Sequence, residues 1–484
     1  MGALAVVGMV GRMVLLFAAL LLVPLGFALW QRDAAEDAFV TAALLTFIAG
    51  LIMSAATRRF RRELVPRDGF LLVGLTWAVL PVFGALPLWL AIPGLSVTDA
   101  YFEAMSAFTA TGATVLTGLD DLPLSVNVWR CFMMWVGGLG IIVLAVAILP
   151  MLGVGGSQLF KAEITGPLKD QKLTPRIADT ARVIWLTYFA ISVACFFAYR
   201  AAGMTWSDAF MHMNTTVSLG GFSSYDASFG HWNSATIEMV AIVFMMLGGI
   251  NLTMYYVLWR QRSLAPLWRN TEVRAFYGLV GGSVLLIAAY LVVNGTYPTF
   301  TAALRSAAFH TVSIATTTGY ASTDYAQWPL FAPMLIILLG CFATCAGSTG
   351  GGIKMIRFLL LAVQARRELV RIVHPNVVNP VTFNGRRIED RTIQGVIAFM
   401  MIYGATLVGL TMVLLFSGLD VVTAFTAVVA CVNNIGPGLG DVGPAVNYGG
   451  LTDFQTWVCT FAMVLGRLEL LAVLVLFTPQ FWRR

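Results

Sequence analysis

Apolar stretches of two lengths alternate along this chain. Runs of about 20 apolar residues are long enough to cross a bilayer as helices, whereas runs of roughly 10 suit re-entrant segments. Two long runs come first, Leu4 to Trp30 and Ala38 to Ala56. From Gly69 a unit of about 100 residues then repeats four times: a long run, a short one, a glycine-centred loop and a second long run. The first unit predicts helices at Phe70 to Ala91 and Val128 to Leu152 around a half-helix at Ala100 to Ala110. The second reads Val183 to Ala202, Ala209 to Val217 and Met239 to Leu258. The third reads Phe276 to Val293, Leu304 to Ile314 and an interrupted segment from Leu330 to Val363. The fourth reads Val396 to Phe416, Val422 to Val432 and Trp457 to Phe477. The expectation is an all-α polytopic membrane protein with ten spanning helices and four half-helices. Its domains are an N-terminal helix pair (1–68) and repeats at 69–181, 182–273, 274–392 and 393–484.

Composition sharpens this picture. Only 11% of the 484 residues are charged and mean hydropathy is +0.82, whereas soluble domains carry about 25% charged residues. The basic residues gather in alternate loops: Arg58, Arg59, Arg61, Arg62 and Arg67; Lys161, Lys169, Lys172 and Arg176; Arg260, Arg262, Arg269 and Arg274. A further group is Arg366, Arg367, Arg371, Arg386, Arg387 and Arg391, with Arg483 and Arg484 at the end. Stretches 92–127, 201–234 and 418–452 contain no Lys or Arg, and 295–327 holds only Arg305. Basic loops stay in the cytoplasm, so both termini are expected there too. The high pI is therefore topological, and no basic, aromatic-interleaved module points to nucleic acid. All six cysteines lie in apolar or small-residue segments, as buried thiols do. Without a metal-ligand cluster, nucleophile–base pair or phosphate loop, an enzyme is not expected. The first apolar run is too long for a signal-peptide core and is expected to be retained.

The four short loops align on one glycine each: Thr111-Gly112-Ala113-Thr114, Leu219-Gly220-Gly221-Phe222, Thr318-Gly319-Tyr320-Ala321 and Ile435-Gly436-Pro437-Gly438. Phe102, Phe210 and Phe309 stand ten positions before the first three, and Phe425 eleven before the fourth. Asp99 and Asp208 are placed to open the first two half-helices. Carbonyls line a pore only if successive residues alternate between ordinary and left-handed backbone, which glycine enters without steric cost. Each half-helix also aims its negative end at the loop. The four loops hold no carboxylate, so a monovalent cation held by backbone dipoles fits better than a divalent one.

On Gly137-Gly138-Leu139-Gly140-Ile141-Ile142, Leu149-Pro150, Gly166-Pro167-Leu168-Lys169, Thr318-Gly319-Tyr320 and Asn433-Asn434-Ile435-Gly436-Pro437-Gly438, the chain resembles the Trk/Ktr/HKT superfamily of potassium transporters. The extra N-terminal helix pair resembles its Trk branch. The resemblance implies a pseudo-fourfold, potassium-channel-like pore in the bacterial inner membrane and assembly as a homodimer. It also implies a cytosolic TrkA-type ring that binds nucleotide and controls opening, with potassium as substrate and no cofactor on this chain. The potassium-binding residues expected are Thr111, Gly112, Leu219, Gly220, Thr318, Gly319, Ile435 and Gly436.

The third unit's second long segment is broken by Gly347, Ser348, Thr349, Gly350, Gly351 and Gly352, too many glycines for a stable helix. Irregular backbone at membrane depth should line a wet cavity, so this loop is expected below the ring as a gate. Arg467, read as mid-helix, is its expected partner, held by loop carbonyls or by Glu469. Arg366, Arg367 and Arg371 are the expected docking residues for the regulatory ring. Symport of potassium with protons or sodium is the alternative, with His212 and His310 as candidate proton sites.

Overall fold

The computed structural model describes residues 2–60, 65–140 and 177–483. Six helices among them are long and apolar enough to cross a membrane: Leu4–Gln31, Glu36–Ala56, Arg67–Ala91, Ala181–Ala201, Thr271–Val293 and Asp390–Phe416. These are the N-terminal pair and the first helix of each repeat. On Glu36–Ala56, Leu44, Phe47, Ile48, Leu51 and Ile52 form one stripe of 45–62% exposed side chains. A soluble fold would bury that stripe, and a bilayer covers it. Phe17 of the first helix packs on Phe108 and Trp129, 5.3 and 5.4 Å between ring centroids, which fastens the pair to the first repeat.

The four half-helices are Val97–Thr109, Trp206–Val217, Phe300–Ala315 and Val421–Val432, of 13, 12, 16 and 12 residues. At about 1.5 Å per residue none reaches across a hydrocarbon core of about 30 Å. Each opens on a side-chain cap: Ser96 accepts from Asp99 N, Thr205 from Asp208 N, Thr299 from Ala302 N, and Asp420 from Val422 N and Thr423 N. Asp99 and Asp208 therefore stand in the first turn and not at the cap. There their carboxylates accept from the Ser96 and Thr205 hydroxyls at 2.8 and 2.6 Å and complement the helix dipole.

The second helices of the second and fourth repeats depart from expectation, whereas the third is interrupted as its glycines predict. Met239 to Leu258 and Trp457 to Phe477 were expected to be continuous. Instead Ala235–Gly248 meets Leu252–Gln261 at 88°, and Asp453–Arg467 meets Leu471–Phe477 at 107°. In the third repeat Phe331–Phe342 stops and Met355–Val373 begins after the glycine-rich loop. The first repeat's Leu124–Leu139 ends on Gly140, and the rest of its expected helix lies outside the described residues. So do Arg61, Arg62, Lys161, the Gly166 to Lys169 motif, Lys172, Arg176 and Arg484.

Close packing explains where the breaks fall. The half-helices rest their last carbonyls on inner-helix glycines: Phe108 O on Gly137, Val217 O on Gly248, Ile314 O on Gly340 and Val432 O on Gly466. A Cβ at Gly137, Gly340 or Gly466 would approach that oxygen to under 3.0 Å, so only glycine allows the seat. Just past the seat in the second repeat, Gly249 O accepts from Cys345 N at 3.0 Å, and Asn251 caps the new helix by accepting from Thr253 N at 2.9 Å.

Candidate functional site

Each half-helix ends in the same backbone sequence. Ala110, Leu219, Thr317 and Asn434 are left-handed at φ 51°, 56°, 62° and 53°; the residue after each is ordinary, and the next is a left-handed glycine. Those glycines are Gly112, Gly221, Gly319 and Gly436, at φ 85°, 78°, 88° and 98°. Hydrogen bonds set the same register: Thr111 N, Gly220 N, Thr318 N and Ile435 N each donate to the carbonyl five residues back, at 2.7–2.9 Å. In the second repeat the sequence alignment is thus one residue off. Gly221 stands where Gly220 was expected, and Gly220 stands in place of Leu219, which ends the half-helix as Ala110 does. Phe210 misled that alignment, since the aromatic residue is not held at one fixed distance from the glycine.

The four loops close into a ring. A Cβ built on Gly112 meets Gly220 O; on Gly221, Thr318 O; on Gly319, Ile435 O; and on Gly436, Thr111 O at 2.8 Å. Each loop thus lays the carbonyl before its own glycine against the glycine of its neighbour, in the cyclic order of the repeats. A small cavity of about 90 Å³ opens on the ring, touched by Gly112, Gly221, Gly319 and Pro437, with Asp226 at its wall. The ends of four half-helix dipoles converge on rigid carbonyls with no carboxylate in the ring. An arrangement of this chemistry is able to stand in for the water shell of a monovalent cation.

Buried side chains brace the ring from behind. The Tyr320 hydroxyl meets the Thr215 and Thr216 hydroxyls at 2.5 and 2.9 Å, joining loop three to half-helix two. Asn434 donates to the Thr111 hydroxyl at 2.9 Å, and Tyr448 donates to Gly436 O at 2.8 Å. Arg130 and Glu103 form an ion pair at 2.7 Å with both side chains buried. Arg130 also donates to Ser223 O at 3.2 Å and lies over the Phe222 ring at 4.4 Å, so it ties loop one to loop two.

The irregular segment from Ala343 to Lys354 runs against the inner ends of three half-helices. The Thr349 hydroxyl donates to Val217 O at 3.1 Å, Gly351 N donates to the Thr317 hydroxyl at 2.9 Å, and Gly351 abuts Asn433 O. Glu272 anchors both ends of the segment, accepting from Ala346 N at 2.7 Å and Ile356 N at 3.2 Å. Two cations grip adjacent loop carbonyls. Arg467 donates to Thr349 O at 2.9 Å while its other nitrogen reaches Gly137 O and Gly138 O at 2.7 and 2.6 Å; Lys354 donates to Gly350 O. Arg467 is the last residue of its helix and not a mid-helix charge, which lets the guanidinium reach across the break. Glu469 serves as partner to Arg357.

Sequence reasoning passed over Glu103, Arg130 and Lys354 as functional residues, although charges inside apolar segments were the signal available. His212 and His310 are fully buried with both nitrogens engaged: Asp208 O and the Ser223 hydroxyl for one, Ser306 O and the N–H groups of Ser322 and Thr323 for the other.

Comparison with known proteins places this architecture. The family model described as "TrkH: Cation transport protein" matches residues 35–484. The Trk system potassium uptake protein TrkH of Vibrio parahaemolyticus is 43% identical over 482 residues, covering 99% of each chain. TrkH of Escherichia coli K12 is 42% identical over 480 residues, covering 99% of each, and its TrkG is 38% identical over 477, covering 98% of each. The crystal structure of the potassium transporter TrkH from Vibrio parahaemolyticus matches with a TM-score of 0.90 at 41% identity, covering 100% of both chains.

Proposed function

The chain belongs to the TrkH family of cation transport proteins, and from that premise we propose that it carries potassium ions across a bacterial inner membrane by channel-like permeation through the four-loop ring. The observation that carries this reading is the cyclic order of the ring, in which each carbonyl reaches the glycine of the preceding repeat, and the first repeat's carbonyl that of the fourth. The potassium ion is substrate, held by the carbonyls of Thr111, Gly220, Thr318 and Ile435 with the following glycines providing the turn. Purified protein in liposomes should give reversal potentials that follow the potassium gradient. Equal response to sodium would remove the reading.

Symport would need a group that titrates along the path. In His212 and His310, Nδ1 faces a backbone carbonyl, which only accepts, so Nδ1 carries the proton. Nε2 of His310 then accepts from two N–H groups, and a protonated ring could not. Reversal potentials are therefore expected to stay constant between about pH 6 and pH 8, where a free histidine changes charge. A shift with the proton gradient would favour symport.

The loop from Ala343 to Lys354, with Arg467 and Lys354 as latches, is the gate in this reading. Its control by a cytosolic TrkA-type nucleotide-binding ring, the homodimer and the cytoplasmic termini rest on the family resemblance and on the basic loops. Helix Met355–Val373 leaves the gate directly and ends with Leu369, Ile372 and Val373 at 67%, 77% and 69% exposure, amid Arg366 and Arg371. An apolar patch among basic residues suits a protein partner. Arg367 is not part of it, because it is buried and pairs with Asp390 at 2.9 Å, holding this helix to Asp390–Phe416. Combining Arg366→Glu and Arg371→Glu with Leu369→Ser and Ile372→Ser should abolish co-purification of the partner ring. Retained binding would move the docking surface elsewhere.

A further inference from the structure

Nine residues before each left-handed glycine stand Glu103, His212, His310 and Ala427. The first three are fully buried on their half-helices, and each reaches forward to the limb that leaves its own loop. Glu103 accepts from the Thr114 hydroxyl at 3.0 Å and from Val115 N at 3.1 Å. His212 meets the Ser223 hydroxyl at 3.0 Å. His310 accepts from Ser322 N at 3.2 Å and Thr323 N at 3.3 Å. In the fourth repeat alanine cannot reach, and the preceding residue takes over: the Thr426 hydroxyl accepts from Leu439 N at 2.8 Å. Val115, Ser322 and Leu439 each follow their glycine by three positions, and Thr114 and Ser223 by two. One position in the pseudo-fourfold repeat therefore straps the returning limb of the ring, with different chemistry in each copy.

We propose that Glu103, His212, His310 and Thr426 are positioning residues that set which cation the ring accepts. The inner end of each half-helix rests on its inner-helix glycine, and the returning limb is held by these straps together with bonds such as the Ser313 hydroxyl to Tyr320 O at 2.8 Å and Tyr448 N to Thr114 O at 2.8 Å. Its straps hold the carbonyls of Thr111, Gly220, Thr318 and Ile435 at one spacing. With a strap cut, those oxygens can close around a smaller ion, and discrimination falls before permeation does. The Glu103 strap is the most heavily braced, because Arg130 bonds Glu103 and also the Ser223 carbonyl of the next loop.

This inference rests on the ring being a potassium-selective filter, so wild-type protein in liposomes is measured beside the variants. His310→Leu leaves the part-buried N–H groups of Ser322 and Thr323 without their acceptor and should lower the potassium-to-sodium permeability ratio on the order of tenfold. His310→Gln, whose amide oxygen can accept from the same groups, should restore most of the ratio. Thr426→Val keeps the shape and removes one acceptor, so it serves as a second reading if His310→Leu does not fold. It should lower the ratio by a smaller factor. A purely structural role would reduce yield and both fluxes together with the ratio unchanged, and that result in His310→Leu or Thr426→Val overturns the proposal. An unselective wild type would overturn the filter reading itself, and the inference with it.

Discussion

Gly221→Ala should abolish potassium-selective flux, whereas Gly220→Ala should leave most of it. The two glycines are neighbours, yet their surroundings differ in kind. Gly221 sits at φ 78°, and a Cβ there would run into the Thr318 carbonyl. Holding an L-residue in left-handed backbone costs roughly 1–2 kcal/mol before any clash is counted. A carbonyl fixed in the ring cannot yield without moving the loop of the third repeat. Gly220 is not left-handed, and its Cβ would meet the Met134 sulfur at 2.6 Å, the far end of a flexible side chain. Its counterparts Thr111, Thr318 and Ile435 all carry side chains at the same step. The expected fall in the potassium-to-sodium ratio is at least about tenfold for Gly221→Ala and under about threefold for Gly220→Ala. Equal effects at the two positions would contradict the ring's register.

The second large effect is expected at the gate. Arg467→Ala should raise potassium flux in the absence of the regulatory ring, and Lys354→Met should do the same. Arg467 bridges Thr349 O to Gly137 O and Gly138 O, so its removal cuts the loop from the first repeat. Lys354 bonds Gly350 O from the start of the helix that runs to the basic face, and it does so at φ 75° and ψ 138°, a region L-residues rarely adopt. That backbone is strained in the latched state and would relax on release. A charge-assisted hydrogen bond contributes about 1.5–3 kcal/mol, so losing one should raise the open population roughly ten- to a hundredfold. Ion selectivity should be unchanged, since neither residue touches the ring carbonyls. Flux that still depends fully on the partner in both variants would remove the loop as gate.

Much of this was legible because burial in lipid writes itself as run length. The long and short apolar segments predicted the four repeats, and the half-helices followed from runs too short to span. What escaped has physical causes. Leu219-Gly220-Gly221 offers two glycines, and only backbone dihedrals decide which one turns the loop. The bends after Gly248 and Arg467 fall just past the places where the second and fourth half-helices touch Gly248 and Gly466, long-range contacts that hydropathy does not encode. Arg467 looked mid-helix for the same reason. Charges inside apolar runs were visible at Glu103, Arg130 and Lys354, but the ion pair joins residues 27 apart and the lysine meets a backbone carbonyl. His212 and His310 drew notice as titratable groups, whereas their place in the fold depends on the nine-residue step to the left-handed glycine, which for His212 is Gly221 and not the Gly220 of the sequence alignment.

One cation is expected to sit among four backbone carbonyls drawn from the four repeats. Crystals of the protein grown in a thallium salt test it most directly, because thallium replaces potassium and scatters anomalously. The expected result is an anomalous peak enclosed by the carbonyl oxygens of Thr111, Gly220, Thr318 and Ile435. Thallium bound elsewhere, with no peak inside that ring, would contradict the account.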